Sequence, residues 1–138
     1  MRILIATIVV SLALAPMLLR EGRRQGVQRM VVTHTMNTPI EMTVAQMKEA
    51  ATLGAFIEFV GSTPASPDAG ERYDRFAAAI RQIGPQSCIL SSDLGQATNP
   101  RPAEGFGAFL VAMQARGFTA GDIDRMSRQN PARLLGLR

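Results

Sequence analysis

The feature that most limits how this 138-residue chain can fold is a repeat of pattern, not of sequence. Short apolar runs begin near residues 3, 29, 55 and 88, and a stretch with helical spacing follows each one. Strands joined through helices return to the same end of the sheet, so they run parallel, and their crossovers are right-handed. The expected fold is α/β: about four parallel strands alternating with helices, as one domain over residues 1–138. Four such units make about half of an eight-stranded βα barrel, which usually takes roughly 250 residues. The chain is too short to close a barrel alone. An open parallel sheet, a half-barrel that dimerises and the C-terminal part of a longer enzyme all satisfy the pattern.

Local signals place the elements. Thr43 with Gln46 three residues later forms a capping box, opening a helix through Val44, Met47, Ala50 and Leu53 that stops at Gly54. Residues 55–60 read as a strand interrupted by Glu58, and residues 61–70 as a loop. Tyr73, Phe76, Ala77, Ile80 and Ile83 carry helical spacing, and Gly84-Pro85 ends that helix. A strand from Cys88 to Leu90 leads into Ser91, Ser92 and Asp93. A helix over residues 103–116 follows, with Phe106, Phe109, Leu110 and Met113 on one side. Thr119 with Asp122 resembles a second capping box, and Asn130-Pro131 is expected to cap a last short helix through Leu134 and Leu135.

With 46% hydrophobic residues and 19% charged, the composition excludes disorder, and 12 Gly and 8 Pro show no fibrous or linker pattern. The net charge of +4 resides in the first 30 residues, where Arg2, Arg20, Arg23, Arg24 and Arg29 face Glu21 alone. The rest of the chain is balanced, so no basic face is available for nucleic acid. With no Trp and one Tyr, a stacking platform for single strands is also excluded. A lone cysteine, Cys88, permits no internal disulfide and suits a reducing, cytoplasmic setting as a buried core residue.

Residues 3–19 carry no charge and are flanked by Arg2 and Arg20, the outline of a signal peptide or short membrane anchor. Pro16 directly after Ala13-Leu14-Ala15 disfavours cleavage, and the run is short for a span. The favoured reading divides it into a buried strand over residues 2–10 and a helix over residues 15–25 opened by Pro16. A membrane-anchored or exported domain is the alternative.

In parallel α/β folds reactive groups collect at the carboxyl ends of the strands. This rule selects His34, after the second strand, and Asp93, after the fourth. An imidazole and a carboxylate suit a divalent cation such as zinc, and a carboxylate beside a metal-activated water can also accept its proton. Equally, His34 could be a hydrogen-bonding structural residue and Asp93 a loop or helix cap. Glu58 faces either a barrel lumen or the helix layer. Gly105-Phe106-Gly107 lacks the third Gly and the preceding strand of a dinucleotide loop, and no serine lies in a nucleophile-elbow setting.

Val31-Val32-Thr33-His34, the segment from Cys88 to Gln96 and the terminal Asn130-Pro131-Ala132-Arg133-Leu134-Leu135-Gly136-Leu137 resemble the C-terminal half of the amidohydrolase superfamily, in a poorly characterised bacterial branch. The resemblance implies a βα barrel hydrolysing amide or ester bonds of small molecules. It also implies His34 as a middle-strand metal ligand and Asp93 as the last-strand ligand that activates water. The chain departs from that pattern because His34 is the only histidine. No His-x-His pair is present, and Thr7 is followed by Ile8 where relatives continue to a further His. One His and one Asp are too few for tight metal binding unless another chain or a missing N-terminal half supplies ligands. A hydrolase unit weakly active or inactive by itself is therefore expected, with a non-catalytic, oligomerising remnant as the rival.

Overall fold

A computed structural model describes residues 5–8, 15–38, 40–62 and 66–137. Strands β1 (Ile5–Ile8), β2 (Arg29–Val32), β3 (Ala55–Val60) and β4 (Cys88–Ser91) form one sheet in the order β1-β2-β3-β4, every pair parallel. Helices α1 (Ala15–Arg24), α2 (Val44–Thr52) and α3 (Ala69–Ile83) connect them, and α4 (Pro102–Gln114), α5 (Ala120–Asp124) and α6 (Asn130–Leu135) follow. Strand order that advances in one direction through right-handed crossovers puts every connecting helix on the same face. The core confirms this: Met30, Val32, Ile57, Phe59, Cys88 and Leu90 point from the sheet into one cluster with Leu19, Met47, Phe76, Phe109 and Met113. A sheet wound in both directions would have helices on both faces. With the connecting helices on one face, the arrangement is that of part of a barrel and not of a doubly wound sheet.

The opposite face is the lumen side. Val31, Phe56 and Ile89 lie there against Leu134 of α6. Strands β2, β3 and β4 thus carry buried apolar residues on both faces, which explains why they read as nearly continuous apolar runs and not as alternating ones.

The N-terminal apolar segment divides as favoured. Ile5 to Ile8 pair with Arg29 to Val32, and α1 buries Ala15 and Leu19 while Met17 and Leu18 face outward. Residues 2–4 and 9–14 of that segment lie outside the described residues. Among the described residues no helix is long and apolar enough to cross a membrane.

Both capping boxes form, Thr43 accepting from the Gln46 N–H and Thr119 from the Asp122 N–H. The Asp122 carboxyl is held below its ordinary range by the Thr119 hydroxyl and backbone N–H. One expectation is corrected. Asn130 caps nothing, because the chain enters α6 directly from a π-helical turn (Arg125–Gln129), with Gln129 already helical and no side-chain cap. The amide of Asn130 is buried instead, and its Nδ2 donates to the carbonyls of Pro85 (2.8 Å) and Cys88 (2.7 Å). The terminal helix is thereby pinned to the start of β4, at the end of the sheet opposite His34 and Asp93.

Cys88 is fully buried, and burial pushes its thiol from the ordinary value up to about 12. A thiol pKa raised on folding contributes stability that is complete below about pH 8.5 and is lost as pH climbs toward the folded value. At pH 8 iodoacetamide should label native Cys88 at least on the order of a thousandfold more slowly than the denatured chain, since reaction requires opening. Equal rates in the two states would show the thiol to be exposed.

Candidate functional site

His34, Ser62 and Asp93 occupy equivalent places, each two residues beyond the carboxyl end of its strand (β2, β3 and β4). Each is left-handed, with φ of 54°, 49° and 50°. That conformation is uncommon outside glycine, although His and Asp adopt it more readily than most residues. It turns the chain sharply away from the strand and leaves the side chain at the rim.

His34 is fixed by its neighbours. Its carbonyl accepts from the Asn37 N–H (2.9 Å), closing a turn. The buried Thr35 donates through Oγ1 to the Glu58 carbonyl (3.1 Å) and accepts at its own carbonyl from the Met42 N–H (2.7 Å). Asp93 is anchored by the next residue. The side chain of Leu94 lies where a Cβ on Gly105 would stand, 2.3 Å from its Cδ1, so the glycine at the start of α4 is a notch that receives Leu94. This accounts for Gly105 without a nucleotide.

The result is a contact between distant residues: His34 Nε2 and Asp93 Oδ2 are 3.7 Å apart, both open to solvent. β3 lies between their strands. The two side chains therefore approach each other across the width of β3. The two residues that the strand-end rule selected are thus side by side on one rim.

The atoms are too far apart for a direct hydrogen bond, yet well placed for a shared partner. Zinc holds nitrogen and oxygen ligands at about 2.0–2.2 Å, which in tetrahedral geometry sets neighbouring ligand atoms roughly 3.3–3.6 Å apart. The donor set therefore fits two positions around one divalent ion. It does not complete a site, since catalytic zinc takes three protein ligands and among the described residues no group of three or more His, Cys, Asp or Glu could hold a metal. Glu58, in register with Ile89 on the lumen side, is half-buried below the rim and belongs to no such group.

Sequence reasoning weighed Ser62 only as a nucleophile and set it aside, because it lies in no nucleophile-elbow setting. A serine carries no sequence signature of positive φ, as a glycine would, and the only available clue was its position two residues after the strand.

Comparison with known proteins supports the architecture. Two crystal structures of an amidohydrolase from Burkholderia multivorans, one with bound zinc and one with bound HEPES, superpose with a TM-score of 0.68 each. They are 13% and 14% identical to this chain, and the match covers 97% of it but 53% of theirs. The fold is therefore that of a partial amidohydrolase-type barrel, and the chain spans about half the length of the solved structures it matches. A protein family of unknown function (DUF6282) matches residues 3–58. No curated protein matches.

Proposed function

We propose that this chain is the C-terminal half of a metal-dependent hydrolase barrel, in which His34 Nε2 and the Asp93 carboxylate provide two ligands for a divalent metal, zinc by ligand preference. The observation that carries the proposal is the 3.7 Å approach of the two groups across the end of β3. The metal would supply Lewis acidity, bringing the pKa of a water molecule to about 7 for attack on an amide or ester carbonyl of a small molecule. His34 binds through its imidazole nitrogen and sets the direction of the site. Asp93 has two oxygens, so it can bind through one and take the proton of the attacking water at the other. The remaining ligands come from a complementary half-barrel, either a preceding segment or a second copy, and the isolated chain is weakly active or inactive. The lone buried Cys88 suits a cytoplasmic setting.

Zinc titration of the purified chain by calorimetry, followed on His34→Ala and Asp93→Ala, tests the assignment. Two ligands alone hold zinc weakly, so the titration is carried to high metal concentration, and loss of either ligand should abolish the binding that remains. Equal affinity in all three proteins would remove the site.

A second reading, an oligomerising module without catalysis, is favoured by the free edge of β4. Ser91 accepts from the Gly61 N–H at 2.8 Å and so faces β3, which by alternation turns the backbone groups of Leu90 away from β3. No described residue pairs with them. An unpaired parallel edge is a template for another chain, and size-exclusion chromatography at micromolar concentration should give a dimer or larger species. A monomer would count against this second reading.

A further inference from the structure

The helices outside the sheet pack in the order α1-α2-α3-α4, so α2 and α3 lie between neighbours while α1 and α4 end the row. The large apolar side chains left exposed among the described residues follow that division. Met17 and Leu18 lie on α1, Val111 on α4, and Leu135 and Leu137 at the end of α6 on the lumen side, whereas α2 and α3 carry none. On α1, Arg20 reaches Glu49 of α2 (2.6 Å) and Arg23 reaches the Leu53 carbonyl (2.8 Å), while Ala15 and Leu19 face the core. At about 100° per residue, Leu18 falls on the flank away from α2. Glu21 shares that flank, its charge already engaged by Arg24 (3.1 Å). Helix α4 buries Gly105, Phe109 and Met113 and turns Arg116 to Asp74 of α3 (2.7 Å), which leaves Phe106 and Leu110, both half-buried, on its outer flank. Gly107 beside them is exposed, and nothing stands within 4 Å of where its Cβ would be. A glycine weakens a helix interior, and no contact among the described residues requires this one.

We propose that a second copy of this chain docks on these two ends, α1 of each copy packing beside α4 of the other, with Leu18 against Phe106, Gly107 and Leu110. The proposal rests on the half-barrel reading and not on a metal. Four of eight βα units turn through half of a barrel. A copy related by a twofold axis along the barrel therefore supplies the other half, and its α1 falls where the helix of a fifth unit would stand. The same rotation covers the lumen side, where Leu135 and Leu137 end α6. An apolar knob on α1 and an uncharged notch on α4 belong to one chain, which is the condition for self-association, and the half-turn closes it after two copies. Burial of these side chains drives the docking, and Gly107 admits the facing helix closely.

Light scattering coupled to size exclusion reads the mass of the full chain, of Leu18→Glu, of Leu110→Lys and of an equimolar mixture of the two variants. The unaltered chain should be a dimer at micromolar concentration. Each variant alone sets an unpaired charge into both apolar contacts and should dissociate at least on the order of tenfold more readily. In the mixture, a mixed dimer keeps one contact unaltered and opposes the two introduced charges in the other, so the dimer should return. The lysine stem retains the packing of Leu110 on the core. Ala103→Lys, exposed on the same flank, takes its place where circular dichroism shows a loss of helix. A monomeric unaltered chain, or a dimer that neither change weakens, overturns the proposal. Variants that stay helical, dissociate and fail to recover on mixing overturn the pairing of α1 with α4. The metal reading is tested separately, by the zinc titration at His34 and Asp93.

Discussion

Asn130→Asp is expected to unfold much of the population at neutral pH while costing far less in mild acid. The two carbonyls that Asn130 serves, Pro85 and Cys88, can only accept. An ionised carboxylate there replaces two donated hydrogen bonds with contacts between acceptors and buries an unpaired charge, which costs about 3–5 kcal/mol. That is a large part of the roughly 5–15 kcal/mol available to a small domain. A protonated carboxyl can still donate once. The folded pKa of the introduced group is therefore raised above its unfolded value of about 3.9. The sign follows: the deficit is small below that value and grows as pH rises through the folded pKa. Urea melts of both proteins at pH 4 and pH 7 should show a difference in midpoint that widens with pH. Equal midpoints at pH 7 would mean that Asn130 does not hold α6 to β4.

The second large effect is expected in the aromatic cluster that joins the sheet to α3 and α4. Phe76 is fully buried, edge-on to Phe59 with centroids 5.3 Å apart and 6.3 Å from Phe109, which in turn lies 4.9 Å from Tyr73. Truncation to alanine removes the ring's transfer free energy and leaves a cavity that well-packed neighbours cannot fill, so Phe76→Ala should lose about 3–5 kcal/mol. The same cluster positions Tyr73 beneath Gly61, so the end of β3 should loosen as well. Native-state hydrogen exchange at the Gly61 and Ser62 amides is expected to quicken by more than global destabilisation alone accounts for. A loss under about 1 kcal/mol would indicate a core that repacks freely.

The sequence made some of this legible and not the rest, for physical reasons that differ by residue. Residues 55–60 emerge as β3 with the expected bounds, and the boxes at Thr43 and Thr119 form as read. Their determinants are local, spanning three to six neighbours. Helix α3 begins at Ala69, two residues before the expected Glu71, because the loop ahead of it tightens into a turn in which Ala69 N–H bonds to Ser66 O (3.0 Å). Asn130 misled because a cap and a long-range pin use the same side chain, and its partners lie 45 and 42 residues away. His34 and Asp93 were found because a parallel sheet aims its strand ends at one rim. Their approach depended on Thr35 and Leu94 anchoring the two loops, which no pattern in the chain announces.

The decisive property of the rim is whether one ion engages His34 and Asp93 together. A double-mutant cycle on zinc affinity, built from His34→Ala, Asp93→Ala and the combined variant, measures this directly. If they share an ion, either single change removes most of the binding, and the combined variant is no weaker than the weaker single one. Losses that multiply as independent contributions, or affinities indifferent to all three changes, would contradict a shared site at the end of β3.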